Sequence, residues 1–185
     1  MGDIGNILYS IISEIGNEKI QSDIALDIGL SRQHIQMILA QCEKRIENAS
    51  DKSIGSLCEA LLHFMLTACT LPSVRKVNID NIDLDIVIPN LHILRKFPDK
   101  AIVIQISKDS KSIIKDLKNV IKIQPNVKNL WVVSKRPLLT DYINYVVEPR
   151  DNATPSLLKR NFQDIILDID MFLEQTKDRS FRFFH

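Results

Sequence analysis

The 185-residue chain has 5 glycines, 3 cysteines and 6% aromatic residues. No Gly-rich loop is present to cradle a nucleotide phosphate on backbone amides. No serine or cysteine sits in a nucleophile elbow. Cys42, Cys58 and Cys69 lack the paired spacing of a zinc site and read as buried free thiols of a reducing compartment. His34, His63, His92 and His185 are scattered, and His63 reads as a satisfied core residue in an apolar helix. No apolar run reaches the ~18–20 residues that span a bilayer. MGDIGNILYS has no basic start of a secretory signal, and Asn6 stands where a myristoylation pattern needs Ser or Thr. These absences predict a cytoplasmic protein with no membrane partner.

What is there is a globular composition, 45% hydrophobic and 25% charged, with abundant isoleucine. The net charge of +1 conceals a strong asymmetry. Residues 1–52 carry 5 Lys/Arg against 8 Asp/Glu, whereas residues 95–136 carry 11 against 3. The footprint for a polyanion therefore lies in the middle of the chain.

Residues 21–40 read QSDIALDIGLSRQHIQMILA. Ala25 stands where one helix lets another pass closely. Gly29 follows at a turn that favours a left-handed backbone, and Ser31 is placed to N-cap the next helix. Ile24, Ile28, Leu30, Ile35 and Ile38 fall on inward faces. The pattern resembles the helix-turn-helix DNA-binding proteins. That resemblance implies a major-groove element with Arg32, Gln33 and Gln36 at its exposed N-terminal end. The same spacing also describes an ordinary helical corner.

Apolar spacing predicts helices over 3–15, 20–28, 31–47 and 54–70, with Ser53 or Asp51 capping the last. Past Pro72-Ser73 the period becomes two. Strands are expected at 74–79 and 82–88 around an Asp80-Asn81 turn, with Ile82, Leu84, Ile86 and Ile88 on one face and Asp83 and Asp85 on the other. A buried strand at 101–107 follows, then a helix at 110–123, a strand at 130–134, a short helix at 138–146 and a last helix at 156–175. The last helix is expected to bury Leu158, Phe162, Ile165, Ile169 and Phe172. A hairpin followed by a strand-helix-strand crossover gives a mixed sheet with helices on its faces.

The order αβββαβ, with Asp85 on the second strand and Gln105 and Ser107 on the third, resembles the PD-(D/E)XK restriction-endonuclease-like family. This second resemblance covers residues 54–146, and together the two imply a helical helix-turn-helix-like module over 1–52 and a restriction-endonuclease-like α/β domain over 53–185. It implies that Asp85 and Glu59 hold Mg²⁺ and that Asp85, Gln105 and Lys111 carry catalysis. Two departures stand out. Neutral Gln105 occupies the place of the second acid, and Ser107 that of the lysine, with Lys108 one residue late.

Lys111, Lys115, Lys118 and Lys122 recur at four, three and four residues and so share one helical face, opposite Ile113, Ile114, Leu117, Val120 and Ile121. With Lys108, Lys135 and Arg136 this face suits phosphate backbone. The leading expectation is a regulatory, homodimeric DNA-binding protein, acting without a cofactor on double-stranded or branched DNA. The alternative is an Mg²⁺-dependent endonuclease. A third reading is a protein-interaction module.

Overall fold

The computed structural model describes residues 4–47, 49–148 and 158–181, with side chains described as far as residue 177. The isoleucine-rich stripe near the N-terminus becomes α1 (Ile4–Ile15), burying Leu8, Ile11 and Ile12. Next come α2 (Asn17–Leu26), α3 (Leu30–Arg45) and α4 (Asp51–Ala68). Ser50, not Ser53 or Asp51, caps α4, its hydroxyl accepting from the Ser53 amide at 3.1 Å. Thr70 at φ 53 and the Leu71 amide on the Leu66 carbonyl close the far end in a Schellman arrangement.

Six strands follow in sequential spatial order: β1 (Val74–Ile79), β2 (Ile82–Ile88), β3 (Ile102–Ile106), β4 (Leu130–Ser134), β5 (Ile143–Val146) and β6 (Lys159–Asn161). β1, β2 and β3 pair antiparallel, and β3 to β6 pair parallel. Asp80 and Asn81 take φ 50 and 62, so both turn residues of the first hairpin are left-handed, as a type I′ turn requires. The short α5 (Leu91–Lys96) lies in the stretch without predicted structure, α6 (Ser110–Val120) crosses from β3 to β4, and α7 (Ile165–Phe181) closes the chain.

The sheet separates two cores. One joins Ile86, Ile88, Ile102, Ile104 and Ile106 to α1–α4 and α7, and the other joins Leu84, Val87, Val103 and Val132 to α6. The helices of the first fifty residues therefore pack into the same apolar cluster as the sheet. Among the described residues no helix is long and apolar enough to cross a membrane.

Two predicted elements differ. Residues 143–146 form a strand instead of part of a helix, because Asn144 and its neighbours pair with β4. The Asn144 amide nitrogen donates to the Val132 carbonyl and to the Ser134 hydroxyl, satisfying a residue that is almost fully buried. The last helix starts at Ile165, since β6 takes 159–161 into the sheet and a tight turn follows at Phe162–Asp164. The aromatic tail SFRFFH lies outside the residues whose side chains are described.

The α2–α3 corner also departs from its expected detail. Ala25 is exposed, so no helix passes against it. Gly29 is right-handed at φ −58, and its amide donates to the Asp27 carboxylate at 2.8 Å, which makes the turn an aspartate-stabilised one. Ser31 lies inside α3, fully buried, and does not cap it.

Candidate active site

β2 and β3 pair only through Ile86, Val87 and Ile88. Toward the hairpin the two strands part, and side chains replace the ladder. Asp85 Oδ2 accepts from the Ile106 amide at 2.8 Å, and Gln105 Nε2 donates to the Asp83 carbonyl at 2.9 Å. The parting opens a polar cavity of about 380 Å³ lined by Asp83, Asp85, Gln105 and Lys108, with Asp116 and Asn119 contributed by α6.

A slip in the strand phase puts Asp85 there. Ile86 and Ile88 belong to the core under α4, and Val87 to the core under α6. Strict alternation would send Leu84 to the α4 side, yet Leu84 lies in the α6 core. This corrects the expected single face of Ile82, Leu84, Ile86 and Ile88. The ladder skips one rung, from Arg75↔Ile86 to Val77↔Leu84, and the residues at that rung are Lys76 and Asp85. Lys76 has φ 49, unusual for a long side chain within a strand.

Behind this rung stands Glu59 of α4, 6% exposed. Its Oε2 takes the Lys108 ammonium at 2.7 Å, and its Oε1 faces Arg75 at 3.4 Å and Lys76 at 3.3 Å. Gly55, one helical turn earlier, makes this approach possible, since a Cβ there would stand 2.6 Å from the Ser107 carbonyl oxygen. Burial pushes the Asp85 carboxyl up, with Glu59 adding to the rise against the Ile106 amide, Lys108 and Lys76. Burial would raise Glu59 as well, but its hydrogen bond and charge contact with Lys108, and then Lys76, bring it below the usual carboxylate range.

The two carboxylates are thus shifted in opposite directions. Glu59, lowered in the folded protein, contributes stability above its unfolded pKa, and that contribution is lost as pH falls through the folded value. Thermal melts of the wild type and Glu59→Gln are expected to converge on acidification below the ordinary carboxylate range. Melting temperatures that stay equally far apart at every pH would exclude this role.

Of the other predicted residues, Lys108, Lys111, Lys115, Lys118 and Lys122 are all exposed, while Ile113, Leu117 and Val120 of α6 are buried. Lys111 does not line the cavity with Asp85 and Gln105. Lys135 is turned inward, donating to the Ala49 carbonyl and pairing with Glu148, whereas Arg136 is exposed. Gln33 and Gln36 are exposed on α3, and Arg32 pairs with Asp164 at 2.6 Å. His63 is half-buried with Nδ1 unpartnered, so it is not the satisfied core residue expected.

Asp116, Arg75 and Lys76 are not among the residues expected at the site. Asp116 sits among lysines and reads as a flank residue. The adjacent cations of β1, on a strand facing Asp83 and Asp85, are the available signal for Arg75 and Lys76. Among the described residues no three His, Cys, Asp or Glu side chains stand together as a ready metal-ligand set.

No protein-family model matches the chain, and no curated protein does. Two solved structures share its fold. Metal-depleted Ecl18kI in complex with uncleaved, modified DNA superposes with a TM-score of 0.62 at 9% identity, over 95% of this chain and 80% of that one. The complex of restriction endonuclease PspGI with substrate DNA superposes with a TM-score of 0.58 at 14% identity, over 95% and 94%. The chain has a restriction-endonuclease-like α/β fold.

Proposed function

We propose that this protein binds double-stranded DNA and, with Mg²⁺, hydrolyses phosphodiester bonds at the Asp85 cleft. The observation that carries this reading is the parting of β2 from β3. It sets Asp85, Gln105 and Lys108 around one polar cavity, directly before the lysine-studded α6. The fold shared with two proteins seen on DNA adds support.

The donor set suits a hard cation. Asp85 has one oxygen on the Ile106 amide and a second for a ligand, and Gln105 uses its nitrogen on Asp83 and keeps a carbonyl oxygen. Asp116 of α6 adds a second carboxylate to the lining of the cavity. Mg²⁺ commonly takes one or two carboxylates, with water and substrate phosphate completing its shell. Bound there, it would supply charge stabilisation of the phosphodiester and a more acidic attacking water. Lys108, tethered by Glu59, meets a phosphate oxygen at the cleft, and the lysine face of α6 holds the backbone further along. Cutting both strands takes two such clefts, and we extend the reading to a homodimer, which sedimentation of the protein on DNA would check.

A second reading is favoured by one observation, the neutral Gln105 and Ser107 in place of an acid and a lysine. The protein then binds DNA without cutting it, in a regulatory role, with Gln33 and Gln36 of α3 selecting the site. Incubating plasmid with Mg²⁺ or Mn²⁺ separates the two. Nicking that disappears in Asp85→Ala supports the nuclease, and retained binding without nicking supports the second reading. Under both, changing Lys111, Lys115, Lys118 and Lys122 together to Glu is expected to abolish DNA retention at moderate salt. Unchanged retention would remove α6 and the turn after it, which carries Lys122, as the contact surface.

A further inference from the structure

Three cations converge on the one buried carboxylate of Glu59. Even with Asp85 counted, whose carboxylate also interacts with Lys108 and Lys76, two negative charges face three positive ones, so the cluster keeps a surplus of one. Its members differ in access. The Lys76 side chain is 70% exposed and that of Lys108 42%, while Arg75, at 28%, lies deeper. Lys108 also lines the Asp85 cavity, so the surplus charge borders the cleft.

The backbone is bent to assemble this group. Consecutive residues of a strand point to opposite faces. Arg75, paired with Ile86, lies on the α4 side. Lys76 should therefore point toward α6, yet its ammonium reaches the same Glu59 oxygen as Arg75 does. Its left-handed φ of 49 accounts for the turn. Among the described residues the other positive-φ positions belong to turns or ends of elements: Gly16 before α2, Thr70 after α4, and Asp80 and Asn81 in the hairpin. Of these positions Lys76 alone lies inside a strand, a costly conformation held where it gathers charge.

We propose that Arg75, Lys76 and Lys108, gathered on Glu59, form a phosphate clamp that grips a DNA strand at the mouth of the Asp85 cleft. Glu59 is its positioning residue, and the left-handed Lys76 is what completes it. The clamp rests on the DNA-binding reading above and adds a second phosphate contact independent of the α6 lysines. It holds whether or not the cleft cuts.

The test is the salt dependence of binding to a short DNA duplex without divalent metal, by fluorescence anisotropy. Lys76→Asn removes the ammonium and keeps a residue that tolerates a left-handed backbone. Removing one phosphate-binding cation should lower the slope of log affinity against log salt by about one. Lys76→Asn and Lys108→Gln are each expected to show that drop, and Lys76→Arg to restore the slope. A melting temperature close to wild type in Lys76→Asn would confirm that folding is not the cause. If that variant is destabilised, the comparison of Lys108→Gln with Lys108→Arg decides. Wild-type slopes in both neutral variants, with the wild type itself binding DNA, would overturn the clamp alone. A wild type that binds no duplex at low salt would overturn the clamp together with the reading beneath it.

Discussion

Asp85→Asn is expected to abolish metal-dependent cleavage while leaving the protein at least as stable as the wild type. Asparagine keeps an oxygen for the Ile106 amide, so the contact that fills the gap between β2 and β3 survives. It removes the charge a cation needs, which should cost several kcal/mol in the transition state, or a rate loss of ~10³-fold or more. Stability moves the other way. Burial raises the Asp85 carboxyl in the folded state, so the folded protein holds its proton more tightly than the unfolded chain does. Stability therefore falls as pH rises from the unfolded value through the folded one, and above the unfolded value the tendency of Asp85 to ionise opposes folding. The neutral amide of the variant carries no such penalty. Single-turnover cleavage and thermal melts at pH 7 and at acidic pH would check both halves. A variant that melts several degrees lower at pH 7 would mark Asp85 as a structural acid and sink its assignment to the site.

Gly55→Ala pits two effects against each other. Alanine inside a helix gains ~1 kcal/mol over glycine. The added Cβ would stand 2.6 Å from the Ser107 carbonyl oxygen and 3.3 Å from the Lys108 Cα, which are backbone atoms of the strand end and cannot swing aside. Overpacking of this kind typically costs ~1–3 kcal/mol, and here the obstacle is rigid. The clash should win, lowering the melting temperature by roughly 2–8 °C for a chain of this size. The lifted helix would also draw Glu59 away from Lys108, so the salt slope of DNA binding should fall along with the melting temperature. A Gly55→Ala protein that melts higher than the wild type would show that α4 can leave β3 without cost.

The strands of the hairpin and β4 are legible in the sequence because alternation and turn residues are local signals. Asp80-Asn81, bounded by alternating apolar residues, announces a left-handed turn on its own. Residues 138–146 read wrongly as a helix because LLTDYINYV has no strict period. What makes 143–146 a strand is the neighbouring β4, a contact no window of sequence contains. Asp85 and Gln105 can be placed on facing strands from their phases. The phase slip at Lys76 cannot, since nothing in the side chain of lysine asks for φ 49. Once the slip is missed, Arg75 and Lys76 look like two cations on opposite faces of the sheet, and their meeting on Glu59 disappears from view. The α2–α3 corner fails in a related way. Its spacing anticipates a close helix crossing at Ala25, but spacing says nothing about which neighbours arrive there.

The skipped rung at Lys76 and Asp85 also changes how the sheet is mechanically connected. Because both strands slip together, the register of the hairpin is preserved while the allegiance of its apolar residues is exchanged. At the base of the hairpin Ile86 and Ile88 face the layer of α4 and Val87 that of α6, whereas at its tip Val77, Ile79, Ile82 and Leu84 all face the layer of α6. The ribbon thus stitches the two layers across the sheet at the level of the cleft. The cleft thus opens at the place along the hairpin where its apolar residues exchange layers, and Asp85 sits at that crossing.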